Sequence, residues 1–142
     1  MSVAIVSHAR AWLGTPYMHQ ASVRGVGCDC LGLLRGIWRE IHGAEPEAVP
    51  IYTADWSEPQ GDERLFRAAH RHMQHVEGAW VAGQVLLFRM RDDAVAKHVG
   101  ILSQLGETPQ FIHAYAGHGV TESPLSRPWR NRIVARFEIS QG

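Results

Sequence analysis

A chain of 142 residues has room for one compact domain, read here over 1–142, and its 45% hydrophobic content is too high for a disordered chain. Lysine plus arginine and aspartate plus glutamate number 14 each, so the basic excess of a dedicated nucleic-acid binder is absent. No stretch approaches the roughly 20 apolar residues of a membrane helix, and the opening MSVAIVSHARAWLG lacks the charged leader and long apolar run of a signal peptide. The expectation is a protein made in the cytoplasm with no membrane span, one that would reach any target outside the cell only through another agent of delivery.

Val3, Ile5, Val6, Ala9, Trp12 and Leu13 recur at helical spacing, with Ser2 as prospective N-cap and Gly14 as stop, which predicts a helix over 3–13. Thr15-Pro16-Tyr17 breaks the pattern, and a loop through Gly25 and Gly27 returns the chain. From Cys30 onward Leu31, Leu33, Leu34, Ile37, Trp38 and Ile41 form a broad apolar stripe ending at His42-Gly43, the mark of a buried helix with Cys30 in its first turn. Residues 44–61 carry Pro46, Pro50 and Pro59 and read as an ordered loop. In that loop Tyr52 and Trp56 either line a substrate groove or pin the loop to the core. A third helix is predicted over 63–73, and strands over 84–89, 98–103, 111–115, 119–122 and 132–139. Helices followed by strands predict an α+β domain with an antiparallel sheet. Trp12, Trp38, Trp80 and Trp129 are read as core residues.

The two cysteines, Cys28 and Cys30, are separated only by Asp29, and a disulfide between them would close a strained loop that restrains almost nothing. A thiol is a strong nucleophile as thiolate, and a helix N-terminus or a neighbouring imidazolium lowers its pKa. Cys30 meets the first condition, with Asp29 as helix cap. His98, at the head of HVGIL, can meet the second. Alternation puts His98, Gly100 and Leu102 on one strand face and Val99 and Ile101 on the other, with Gly100 keeping the histidine's side clear. His113, in FIHAY on the next strand, can take the hydrogen on the far ring nitrogen of His98, giving a Cys–His–His set. An alternative remains at this point: Cys28, Cys30, His98 and His113 are the ligand types of a closed zinc site, although C-x-C is tighter than the usual spacing. His70, His72 and His75 have no acidic or cysteine partner nearby and read as a solvated face.

The runs GVGCDCLGLL, KHVGIL and FIHAYAGHGV, with GTPY, YTADW, GQVLLFR and a terminal PWRNRIVARF, resemble the NlpC-type family of cell-wall peptidases, a rearranged branch of the papain-like cysteine peptidases. Within it the resemblance is to short phage-tail and gene-transfer-particle members. The matching features span about 9–137. The resemblance implies a papain-like α+β fold with N-terminal helices packed on a central antiparallel sheet. It implies Cys30 as nucleophile, His98 as base, His113 as orienter and Tyr17 as an oxyanion donor beside the Cys30 backbone N–H. It further implies hydrolysis of peptidoglycan stem peptides, often between D-glutamate and diaminopimelate, with no metal or other cofactor and with phage tail hub or tip proteins as possible partners. Two positions depart from the family pattern: Leu31 where serine commonly follows the nucleophile, and Gln84 where Gly-Asp commonly precedes the first core strand. A non-catalytic tail component that keeps the fold is the other alternative.

Overall fold

The computed structural model describes residues 2–46, 63–91 and 94–140. Tyr52 and Trp56 lie outside the described residues. Helix α1 (Ser2–Ala11) precedes a two-stranded hairpin, β1 (Ser22–Val23) and β2 (Gly27–Cys28), which leads directly into α2 (Cys30–His42). Helix α3 (Arg64–His72) is followed by β3 (Gln74–Val76), β4 (Val85–Arg89), β5 (Ala96–Gln104), β6 (Gln110–Tyr115) and β7 (Gly119–Pro124). A single turn, α4 (Arg127–Arg130), connects β7 to β8 (Ile133–Glu138). The larger sheet has six strands in the order β3-β8-β4-β5-β6-β7, with neighbours antiparallel throughout. Helices ahead of an antiparallel sheet, and packed on it, is the α+β arrangement expected from the sequence.

The sheet is buried on both faces at its centre. Val85, Leu87, Val99, Ile101 and Ile112 pack against Ile5, Ala9, Trp12, Leu33 and Ile37 of the helical layer. Leu86, Phe88, Leu102 and Phe111 point the other way, under Leu125 with Trp129 and Ile133 against them. Two covered faces explain why β4 reads VLLF with no polar alternation.

Helix α2 is specified at both ends. Asp29 caps its first turn and Gly43, in the left-handed region at φ 84°, donates its N–H to the Arg39 carbonyl at 2.8 Å. Between the caps, Glu40 accepts from the Trp12 indole at 3.0 Å and pairs with His8 at 2.7 Å, tying α2 to α1. Arg39 reaches back to the Ser22 carbonyl at 2.6 Å and ties α2 to the hairpin.

Several sequence expectations need correction. Helix α1 begins at Ser2 itself and ends at Ala11, with Trp12–Gly14 in a turn. The hairpin, β3 and α4 were not expected: two- and three-residue strands have no measurable period, and one helical turn around Pro128 has no stripe. Trp80 is not core. It is 36% exposed, with the guanidinium of Arg136 at 4.3 Å and that of Arg130 at 5.7 Å from its ring. Trp12 is fully buried, whereas Trp38 and Trp129 flank the core.

The chain entering the hairpin presses so closely on α2 that a Cβ at Gly32 would lie 1.9 Å from the Ala21 carbonyl oxygen, a rigid backbone atom. Gly32→Ala is therefore expected to lose about 2–3 kcal/mol through forced separation of helix and hairpin, read as a lowered denaturant midpoint; an unchanged midpoint would contradict so tight a contact.

Candidate active site

The first turn of α2 is organised around the Asp29 carboxylate, which is buried. One oxygen accepts the Gly32 N–H at 2.7 Å and the other accepts the Gln20 N–H at 2.7 Å. The His19 ring lies 3.7 Å from the second oxygen. Gln20 adopts φ 66°, a left-handed conformation rare outside glycine, and the bond to Asp29 holds it there. Just upstream, the Cys28 N–H donates to the Pro16 carbonyl and the Met18 N–H to the Cys28 carbonyl, each at 3.0 Å. Tyr17 is thus bracketed against β2 two residues before Cys30 and is carried to the same place as the thiol.

The histidines come from the sheet. In the pairing of β4 with β5, Phe88 faces His98 and Arg89 faces Ala96, so Lys97 is the extra residue of a β-bulge. The bulge breaks the alternation: Ala96, Val99 and Ile101 all reach the helix-side core, while His98 shares the opposite face with Phe88. The Cys30 thiol points at this bulge, donating to the Lys97 carbonyl at 3.8 Å. His98 Nε2 lies 2.8 Å from His113 Nδ1, and His113 Nε2 lies 3.1 Å from Ser123 Oγ. Gly100 permits this pairing, because a Cβ there would sit 2.8 Å from the Phe111 ring and 3.3 Å from the His113 Cβ. Phe88, Phe111, Tyr115 and Trp129 wall both imidazoles, with the Trp129 ring 5.6 Å from His98 and 5.2 Å from His113.

A cavity of about 120 Å³ opens at this junction, lined by Tyr17, His19, Asp29, Cys30, Lys97 and His98 with Met90 and Ala114, Tyr115 and Ala116. Cys30, His98 and Tyr17 therefore share one space, with His113 directly behind His98. The sequence reading missed His19 and Lys97 as lining residues, and Ser123 and Trp129 as neighbours of the imidazoles. Thr121-x-Ser123, two hydroxyls at strand period, was the available signal for Ser123.

Burial governs the charges. The Cys30 thiol is pushed up to about 12, by loss of hydration first and the Asp29 charge second, against smaller lowering by backbone groups of Val99, Leu31 and Cys30. Burial thus opposes the acidifying effect expected of the helix N-terminus, which contributes only about 0.3–1 kcal/mol. Burial likewise pushes His98 down to about 3, helped by His113, and His113 down to about 4, helped by His118. The resting set is a neutral thiol and two neutral imidazoles, one step short of an ion pair. Tyr17 is raised to about 12, by burial first and with the Asp29 charge adding to it, so its phenol keeps its hydrogen as a donor.

The zinc alternative has no geometric support. Among the described residues no three His, Cys, Asp or Glu side chains come together as a metal-ligand group. Cys28 is buried in the helix-side core, and the facing nitrogens of His98 and His113 are taken up by each other. The His70 and His75 rings meet at a tilt, and His70 packs edge-on and His75 tilted against Phe137, so packing is part of their environment along with solvent. Gln84 is occupied structurally, accepting from Arg136 at 3.2 Å.

A profile of the NlpC/P60 family matches residues 14–137. Among solved structures, the NlpC/P60 domain of the peptidoglycan hydrolase SagA aligns with 98% of this chain and 99% of its own, at 21% identity and a TM-score of 0.62. An NLP/P60-family lipoprotein-like protein of Staphylococcus aureus aligns with 99% of this chain at 18% identity and a TM-score of 0.63. NlpC1 of Trichomonas vaginalis aligns with 97% at 21% identity and a TM-score of 0.60. The chain spans less than half the length of these last two, covering 42% and 43% of them. At such identities the likeness establishes the fold, which is the papain-like one expected. Curated protein sequences returned no match. With the family profile matched over nearly the whole chain, the protein belongs to the NlpC/P60 family, whose members are cysteine peptidoglycan hydrolases.

Proposed function

We propose that this protein is a cysteine peptidase acting on peptidoglycan stem peptides, with Cys30 as nucleophile, His98 as general base, His113 as orienter and Tyr17 as oxyanion donor. The observation that carries the reading is the convergence of Cys30, Tyr17 and His98 on one cavity, with His98 Nε2 held by His113 at 2.8 Å. Holding Nε2 leaves Nδ1 of His98 for the thiol proton.

Because the resting groups are neutral, the thiol hands its proton to His98 Nδ1 as sulfur attacks the substrate carbonyl, rather than attacking as a preformed thiolate. The developing oxyanion is met by the Cys30 backbone N–H, one of the unpaired donors of the first helical turn, and by the Tyr17 hydroxyl. The imidazolium then protonates the leaving amine as the C–N bond breaks and the thioester remains on Cys30. Water attacks that thioester with His98 again as base, which releases the acid and restores the thiol.

The finer reading is cleavage between D-glutamate and diaminopimelate by an enzyme that a phage-like particle carries to the wall, with tail hub or tip proteins as neighbours. Its support is the resemblance of the whole motif set to short phage-type members, together with peptidoglycan as the substrate named for SagA. Mass spectrometry of purified muropeptide digests identifies the bond cut.

Cys30→Ala is expected to abolish muropeptide cleavage and His98→Ala to lower kcat by roughly 10²–10⁴-fold, both with native circular dichroism; equal cleavage by wild type and Cys30→Ala would remove Cys30 from the mechanism. Since His98 stays neutral down to about pH 3, kcat/KM should hold from pH 7 to pH 5 in place of an acidic limb near the ordinary imidazole value. A limb between pH 6 and 7 would contradict the buried, neutral base. For stability the sign follows from both histidines being depressed: the unfolded chain takes up protons below about pH 6.5 that the folded chain refuses. The stabilisation is complete above that pH and declines as pH falls toward the folded values of about 4 and about 3. Thermal midpoints should therefore drop between pH 7 and pH 4, less steeply in His113→Gln.

A further inference from the structure

We propose that Ser123 is a positioning residue that sets the tautomer of His113 and, through it, of His98. This inference rests on the peptidase reading for its kinetic consequence, though not for its structural one.

The chain of contacts runs from His98 Nε2 to His113 Nδ1 at 2.8 Å, from His113 Nε2 to Ser123 Oγ at 3.1 Å, and from Ser123 Oγ to Thr121 Oγ1 at 3.1 Å. Each neutral imidazole has one hydrogen, so the chain has two polarities. In the first, His98 carries its hydrogen on Nε2 and donates to His113 Nδ1, which requires His113 to carry its own on Nε2 and donate to Ser123. The Ser123 hydroxyl accepts and turns its hydrogen to Thr121. His98 Nδ1 is then an empty lone pair, able to take the thiol proton.

In the second polarity Ser123 donates to His113 Nε2, His113 donates from Nδ1 to His98 Nε2, and His98 carries its hydrogen on Nδ1. A base protonated at the nitrogen that should receive the proton cannot accept one. The direction of one hydroxyl thus separates a competent His98 from an incompetent one.

Two structural facts give Ser123 this control. His113 is 2% exposed and its rings of contact are Phe111, Tyr115 and Trp129, so among the described residues Ser123 is the hydrogen-bond partner of Nε2. Thr121 stands opposite His113 in the β6–β7 register, which places its hydroxyl on the same sheet face to receive the Ser123 hydrogen. Once His98 is protonated the first polarity is reinforced, because the imidazolium can only donate to His113 Nδ1.

Two-bond ¹H–¹⁵N correlation spectra of the histidine rings, with muropeptide kinetics on the same samples, test this. Wild type should show both His98 and His113 protonated on Nε2. Ser123→Ala should bring in the Nδ1–H form of His113 and lower kcat about five- to tenfold, as expected for loss of one hydrogen bond of about 1–1.4 kcal/mol, with KM unchanged within about twofold. Ser123→Thr, which keeps the hydroxyl, should restore both. A wild-type His113 protonated mainly on Nδ1, or Ser123→Ala spectra identical to wild type, overturns the proposal. If no muropeptide is cut by wild type the peptidase reading falls, and the ring spectra still decide the Ser123 inference.

Discussion

The buried carboxylate of Asp29 is the constraint on which the rest of the site depends. Its two oxygens accept backbone hydrogens from opposite sides, Gly32 within α2 and Gln20 in the loop before it. One group therefore fixes where the helix starts and how the preceding loop folds over that start. Gln20 is held in a conformation that other residues than glycine rarely adopt, and Gly32 is packed with no room for a methyl group. Tyr17 and Cys30 sit on the two sides of this joint, so their shared cavity follows from the carboxylate's geometry. The same charge raises the thiol pKa, a consequence of placing a structural anion next to the Cys30 side chain.

Burial and the neighbouring charges push the site in the same direction, and only backbone groups around the thiol act against them. Cys30 is 8% exposed and His98 6%, and both are held neutral. In the proposed mechanism a neutral pair transfers its proton in step with attack, so the position of every ring hydrogen matters more than it would for a preformed ion pair. That places weight on the hydrogen-bonded row behind His98 and on the aromatic wall of Phe88, Phe111 and Trp129, which keeps the imidazoles from water.

The sheet supplies this environment because both of its faces are covered. The helix-facing residues of β5 and β6 anchor the strands against α2, while their other face turns His98, Gly100, Phe111 and His113 toward α4. The β-bulge at Lys97 joins the two, since it presents a carbonyl to the Cys30 thiol immediately before His98 crosses to the far side.

Much of this was legible in the chain itself. The apolar stripe from Leu31 to Ile41, bounded by Asp29 and Gly43, determined α2, its caps and the place of Cys30 in its first turn, because helix signals are local. Alternation in HVGIL determined which strand residues meet the helix, and the motif set determined the family. What only the tertiary structure decided depends on contacts distant in sequence. The neutral state of the thiol and imidazoles follows from how deeply they are covered, which no spacing encodes. The fate of Trp80 was set by two arginines about 50 residues away in the chain. The bond from His113 to Ser123 exists because a β-hairpin brings β6 and β7 into register. Local periodicity fixes what an element is and which way its residues face; solvent exclusion and cross-strand hydrogen bonding arise only when the elements meet.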